Sequence, residues 1–130
     1  MMHALRIAVT AAGALALLLG GLWVLDPDRL APAFGLAAEG ALGRASLRAD
    51  LGAFFSMTGL LCIAAGLRNE ARLMTGPLLL ILIALLARII SLLADGAGPG
   101  VYPPIAVEAG LLALFALARF RLGAGPLSSR

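Results

Sequence analysis

Two charged residues, Arg88 and Glu108, interrupt stretches of sequence that are otherwise apolar. A charge inside a membrane-spanning helix costs about 2.5 to 3.5 kcal/mol on insertion scales, so it marks a site or a buried pair. Arg88 precedes Asp95 by seven residues, and Glu108 follows Tyr102 by six. At helical rise both lie roughly 10 Å inside the same boundary. Matching depths on neighbouring helices predict an ion pair between Arg88 and Glu108.

Other polar side chains extend this cluster. Ser91 and Asp95 share a helix face with Arg88, at offsets of +3 and +7. Arg48 shares a face with small residues that let another backbone approach closely, namely Gly52, Ser56, Gly59 and Gly66. Asp50 points away from that face on an ideal helix, so its membership of the cluster stays open. The candidate ligand-binding residues are Arg48, Asp50, Arg88, Ser91 and Glu108.

Three interpretations of the cluster stay open. It can be a structural salt bridge that fixes helix register, with Arg48 and Asp50 reaching lipid headgroups. It can be a pocket in which Arg88 and Arg48 donate to a headgroup, a lipid-like ligand or a small anion. It can also use Glu108 or Asp50 as an acid or base, although no spacing favours this, so no catalytic residue is assigned.

The sequence lacks the side chains that usually bind metals and cofactors. His3 is the only histidine and Cys62 the only cysteine, so a zinc site, a histidine-ligated haem, a histidine-based triad and a paired-cysteine redox centre have no basis. The glycines at 96, 98 and 100 follow an apolar helix rather than a strand, which indicates a turn and not a phosphate loop. We expect no metal and no cofactor.

The composition of the chain indicates the solvent in which these residues must be positioned. Apolar residues make up 62% of the 130 residues and charged residues 13%, where soluble domains have about 45 to 50% and 25%. The mean hydropathy is +1.02. The net charge of +3 does not indicate nucleic acid binding, because the arginines lie between the apolar runs. These figures predict a single integral-membrane domain over 1–130 and exclude a disordered chain or a disulfide scaffold.

Four apolar runs predict an antiparallel four-helix transmembrane bundle, with spans over about 4–25, 47–67, 73–94 and 103–120. The first run exceeds a signal-peptide core, so we expect it to be retained, with Trp23 in the interfacial aromatic belt. Short loops predict that the second helix packs on the third and the third on the fourth. The long first loop, beginning at Asp26, can form a short interfacial helix between 29 and 44 or an irregular cover over the bundle.

The charge distribution predicts orientation. One side carries six arginines and a single acid, namely Arg6, Arg68, Arg72, Arg119, Arg121, Arg130 and Glu70. The other side carries four arginines and six acids, namely Arg29, Arg44, Arg48, Arg88, Asp26, Asp28, Glu39, Asp50, Asp95 and Glu108. The positive-inside rule places both termini in the cytoplasm and the first loop outside it. Small size and an Arg/Ala/Gly-rich composition indicate a bacterial inner membrane.

A family resemblance follows several short motifs. These are Asp26-Pro27, Phe34-Gly35, the run Leu47-Arg48-Ala49-Asp50-Leu51-Gly52, Arg88, Asp95-Gly96 and Glu108. The pattern resembles a family of small bacterial four-helix inner-membrane proteins known only as a domain of unknown function, and more loosely the DoxX-like group. The likeness spans nearly the whole chain. It implies that Arg48, Asp50, Arg88 and Glu108 occupy the family's characteristic polar positions, and it implies no activity.

Three functions follow as hypotheses. The first is a non-enzymatic accessory protein that binds membrane lipid, a hydrophobic small molecule or a partner membrane helix, with a homo-oligomer left open. The second is a membrane enzyme acting on a quinone, sterol-like or isoprenoid compound, with Glu108 or Asp50 as acid or base. The third is a small dimeric exporter, which would be expected to carry a carboxylate near the centre of a span, whereas Glu108 lies off-centre.

Overall fold

The computed structural model describes residues 1–98 and 100–123, and the regular structure in these ranges is entirely helical. It contains α1 (Met2–Leu25), α2 (Pro27–Leu30), α3 (Gly40–Arg68), α4 (Thr75–Asp95) and α5 (Tyr102–Arg121), with 3-10 turns at Ala31–Phe34 and Ala71–Met74. The predicted all-α class is confirmed. Four helical segments are long and apolar enough to cross a membrane: α1, α3, the turn and helix Ala71–Asp95, and α5.

The first connection is shorter than the sequence predicts. α1 ends at Leu25 as expected, and the Asp26 carboxylate accepts a hydrogen bond from the Arg29 backbone N–H at 3.3 Å, which caps α2. α3 begins at Gly40 rather than near residue 47. Glycine costs only about 1 kcal/mol relative to alanine inside a helix, and the intervening Ala and Leu residues favour helix. An interfacial helix over 29–44 is therefore wrong, because α2, a 3-10 turn and the start of α3 divide that stretch.

α1 and α3 pack antiparallel at very close range. A Cβ at Gly59 would lie 2.6 Å from the Leu17 backbone nitrogen and 2.7 Å from the Gly13 carbonyl oxygen. Gly66 on α3 and Gly13 and Gly20 on α1 are similarly confined by backbone atoms, whereas a Cβ at Gly52 would meet the Val24 side chain. The small-residue face of α3 is therefore occupied by the backbone of α1, as its composition predicted for some partner. The partner itself differs from the prediction, because α3 packs mainly on α1 and only slightly on α4.

Two arginines fasten the opposite ends of this α1/α3 pair. Arg6, in the first turns of α1, donates from Nε to the Gly66 carbonyl at 2.8 Å and from Nη2 to the Leu67 carbonyl at 3.0 Å. Arg48 of α3 donates from Nε to the Val24 carbonyl at 3.0 Å. Each guanidinium therefore meets the carbonyl end of the other helix, where a positive charge also complements the helix dipole.

The second antiparallel pair, α4 and α5, joins the first mainly at one end. We call this the terminal end, because α1 begins and α5 ends there, and we call the opposite end the loop end. The buried core lies from the middle of the molecule to the terminal end and consists of Leu5, Val9, Cys62, Ala65, Met74, Ile81, Phe115, Ala118 and Leu122. α3 and α4 contact each other only slightly, so the two helix pairs meet mainly through this core.

An aromatic cluster closes the loop end of the α1/α3 pair. Trp23 is completely buried and meets Phe34 of the first connection edge to face, with ring centroids 5.2 Å apart. Phe34 in turn meets Phe55 at 6.0 Å, and Phe55 meets Phe54 at 5.2 Å. Trp23 therefore packs inside the protein, with the first connection against its ring, and its expected place in the interfacial aromatic belt stays a prediction.

Candidate functional site

Arg88 and Glu108 form the expected ion pair between α4 and α5. Arg88 Nε lies 2.6 Å from Glu108 Oε1, a charge-assisted hydrogen bond. Helical periodicity explains the meeting: Arg88 is two turns beyond the buried Ile81 on α4, and Glu108 is two turns before the buried Phe115 on α5. Both side chains thus continue the buried faces of their helices towards the loop end.

The ion pair leaves hydrogen-bonding capacity unused on both partners. Glu108 Oε2 is buried, and no group in residues 1–98 or 100–123 donates to it. Arg88 uses only Nε, so the N–H groups of its two Nη atoms have no acceptor within the same ranges. The Arg88 side chain is 41% exposed and that of Glu108 13%. Arg88 is therefore reachable from one side, whereas the free oxygen of Glu108 lies inside the protein.

A small apolar cavity lies one to two helical turns from the ion pair, towards the terminal end. Its volume is about 60 Å³, and all four long helices line it, with Ala12, Ala16, Phe54, Phe55, Thr58, Pro77, Ile81, Leu111 and Phe115. The Thr58 hydroxyl donates to the Phe54 carbonyl at 2.8 Å, which leaves the lining almost wholly apolar. A cavity of this size and lining suits a methyl or methylene group better than a water molecule.

The other three candidate residues do not join the ion pair. Arg48 bonds to the Val24 carbonyl, and Ser91 and Asp50 are exposed. Within the described ranges no hydrogen bond or salt bridge connects any of them to Arg88 or Glu108.

A larger, open depression lies at the terminal end. It measures about 380 Å³ and is lined by Asn69, Glu70, Ala71, Arg72, Arg119, Leu122 and Gly123. Arg119 Nε donates to the Thr75 hydroxyl at 3.0 Å, and the Gly123 N–H donates to Asn69 Oδ1 at 3.4 Å. Its arginines are accounted for by the charge asymmetry that orients membrane proteins, so the depression defines no separate site.

The residues of α3 that line the cavity were not predicted from the sequence. Phe54, Phe55 and Thr58 lie there because the face of α3 next to its small-residue face turns towards α4 and α5. Helical spacing groups Phe54, Phe55 and Thr58 on one side, a signal that was available. The same spacing cannot tell a cavity lining from a lipid-facing surface. Within the described ranges no three His, Cys, Asp or Glu side chains are placed to hold a metal ion.

The four long apolar helices and the intramembrane ion pair place the chain among α-helical membrane proteins. Comparison of the chain with protein-family models, curated proteins and solved structures finds no match.

Proposed function

We propose that the protein is a non-enzymatic, multi-pass accessory protein of a bacterial inner membrane that binds a membrane amphiphile at the Arg88 and Glu108 ion pair. The head of the amphiphile bonds to the unused groups of the pair, and an apolar part enters the neighbouring cavity.

One observation carries the proposal: Arg88 sits in a membrane-spanning segment with only one of its N–H groups engaged and with 41% of its side chain exposed. Arginine offers five N–H donors, so four remain for an acceptor outside the described part of the chain. Donors left without acceptors in hydrocarbon are costly, and an amphiphile can supply acceptors at that depth. A purely structural ion pair would gain more from full burial and a bidentate arrangement.

Orientation follows from the arginines at the terminal end. Arg6 bonds there to the end of α3, and Arg72 and Arg119 line the open depression. By the positive-inside rule the terminal end faces the cytoplasm, both termini are cytoplasmic, and the ion pair lies in the outer half of the membrane.

Cysteine labelling in intact cells tests this topology. Cys62 is fully buried, so it does not compete for a membrane-impermeant maleimide. Ala37→Cys, in the first connection, is expected to react in intact cells. Glu70→Cys, at the terminal end, is expected to react only after the membrane is permeabilised. The reverse pattern would overturn the orientation.

A membrane enzyme for a quinone, sterol-like or isoprenoid substrate is the second candidate, and the free oxygen of Glu108 favours it. However, neither Glu108 nor Asp50 lines the cavity, which is also too small for such a substrate as it stands. The third candidate, a dimeric exporter, would require proton-coupled uptake in vesicles that a Glu108→Gln variant abolishes. Both candidates rank below the binding role.

Lipid that copurifies with the protein provides the direct test of binding. Wild type, Arg88→Gln and Arg29→Gln are purified in parallel in a mild detergent, and their bound lipids are compared with the bulk membrane by mass spectrometry. Arg29 is the matched control, because its side chain is exposed and lies outside the ion pair. We expect at least one lipid species enriched with wild type and Arg29→Gln but lost with Arg88→Gln. Equal lipid profiles for all three proteins would contradict the proposal.

A further inference from the structure

The free carboxylate oxygen of Glu108 restricts the chemistry of the head that fits beside it. Oε2 is buried and lacks a donor within the described ranges. An ionised carboxylate can only accept hydrogen bonds, so a matching head must bring a hydrogen-bond donor. A phosphate, sulfate or carboxylate head brings only acceptors when fully ionised, and it would add a second negative charge next to the first.

The free donors of Arg88 impose a second condition. The Nη atoms need an acceptor, and each is attached to the same guanidinium carbon as the bonded Nε. Oε2 is likewise attached to the same carboxyl carbon as the bonded Oε1. Arg88 Nε and Glu108 Oε1 are 2.6 Å apart. Each unused Nη atom is two covalent bonds from Nε, and Oε2 is two covalent bonds from Oε1, so the unused donors lie only a few ångströms from the unused acceptor. One hydroxyl group can accept from Arg88 and donate to Glu108 at the same time.

Charge balance favours the same head. Arg88 and Glu108 neutralise each other, and the nearby cavity is apolar. A neutral head keeps the site neutral, whereas an anion would leave a net negative charge in surroundings of low dielectric.

Resting on the binding role proposed above, we propose that the amphiphile carries an uncharged hydroxyl head, as in a long-chain alcohol or a phenol. Its oxygen accepts from an Arg88 Nη group, and its hydrogen is donated to Glu108 Oε2, which becomes accessible when the partly exposed Arg88 side chain shifts to admit the head. A methyl or methylene group occupies the 60 Å³ cavity between Ile81 and Phe115, and the remainder of the chain leaves along the exposed side of Arg88.

Two photoactivatable probes test the proposal on the full chain in phosphatidylcholine vesicles. Both carry the same eighteen-carbon chain with a mid-chain diazirine; one ends in a hydroxyl group and the other in a sulfate, which stays ionised. Labelled residues are mapped by mass spectrometry. For wild type we expect the alcohol to label α4 and α5 around the ion pair about tenfold more than the sulfate, the equivalent of one hydrogen bond to a charged group.

Substitution at Glu108 is expected to reverse this preference. Glu108→Gln replaces the acceptor Oε2 by an amide donor and leaves the Arg88 charge unbalanced, so the sulfate should now label more strongly than the alcohol. Asp95→Asn removes an exposed carboxylate from the same end of α4 and should leave the wild-type preference unchanged. If Glu108→Gln does not fold, competition by the unlabelled alcohol and sulfate against the alcohol probe on wild type decides the matter without a substitution.

The outcomes separate the two proposals. If the sulfate labels wild type around the ion pair as well as the alcohol does, or better, the hydroxyl head is wrong and the binding role stands. If neither probe labels α4 or α5 near the ion pair, or if labelling is the same in Arg88→Gln and wild type, the binding role itself is wrong.

Discussion

Replacing Arg88 and replacing Glu108 should lower the free energy of unfolding by unequal amounts. Arg88→Ala strands a carboxylate whose side chain is only 13% exposed and whose second oxygen already lacks a donor. Removing one partner of a buried charge pair costs about 3 to 5 kcal/mol, and we expect about 3 kcal/mol here, since Arg88 is itself only partly buried. Glu108→Ala strands a long, 41% exposed side chain that can extend towards headgroups, so we expect a loss of about 1.5 kcal/mol.

The double variant measures the interaction itself. With both charges gone no ion is left stranded, so Arg88→Ala with Glu108→Ala should lose about 3 kcal/mol rather than the sum of the single losses. The resulting coupling of about 1.5 kcal/mol lies near the upper limit measured for hydrogen bonds between membrane helices.

Equilibrium unfolding in mixed micelles with increasing dodecyl sulfate provides the assay. Trp23 is the only tryptophan and is completely buried, so its fluorescence reports on the α1/α3 pair, while circular dichroism reports on all helices. Asp95→Ala and Arg29→Ala, exposed charges at the same end of the molecule, should change stability by less than about 0.5 kcal/mol. Losses that add to within about 0.5 kcal/mol, or a larger loss for Glu108→Ala than for Arg88→Ala, would refute the reasoning.

Further predictions concern the α1/α3 pair and use the same assay. Gly59→Ala should destabilise by about 2 kcal/mol, because its Cβ would meet the backbone of α1, whereas Gly110→Ala, with nothing within 4 Å, should be neutral or stabilise by up to about 1 kcal/mol. Equal effects at the two glycines would contradict the close approach. Arg6→Gln loses two bonds to carbonyls and should cost about 1 to 2 kcal/mol, roughly twice the effect of Arg48→Gln, which loses one. Indistinguishable effects of the two arginines would argue against the carbonyl contacts.

Several features were predictable from the sequence because they depend on local properties. Hydropathy and helical rise determine where an apolar helix can cross a membrane, and the prediction located all four long helices. The same rise placed Arg88 and Glu108 at matching depths, and their contact at 2.6 Å is confirmed. That the pair binds an amphiphile remains a proposal.

Other features depended on the register between distant segments. Short loops predicted that α3 packs on α4, yet its main partner is α1, beyond the long connection. In lipid there is little hydrophobic drive to bring particular helices together, so close packing of small residues decides the partner. The stripes that include Gly13 and Gly59 match only when α1 and α3 run antiparallel in one register, which neither stripe reveals alone.

The same reason explains the residues that were misplaced. The burial of Trp23 was not predicted, because Phe34, which packs against its ring, comes from the connection that follows α1. Arg48 donates to the Val24 carbonyl and not to the ion pair, because the register of α1 and α3 brings these two groups together. The sequence alone located the four long helices and brought Arg88 and Glu108 to the same level, since both follow from neighbours along the chain. Only the tertiary structure decided which helix faces which, and thus which polar groups meet, because that choice depends on the fit of surfaces far apart in sequence.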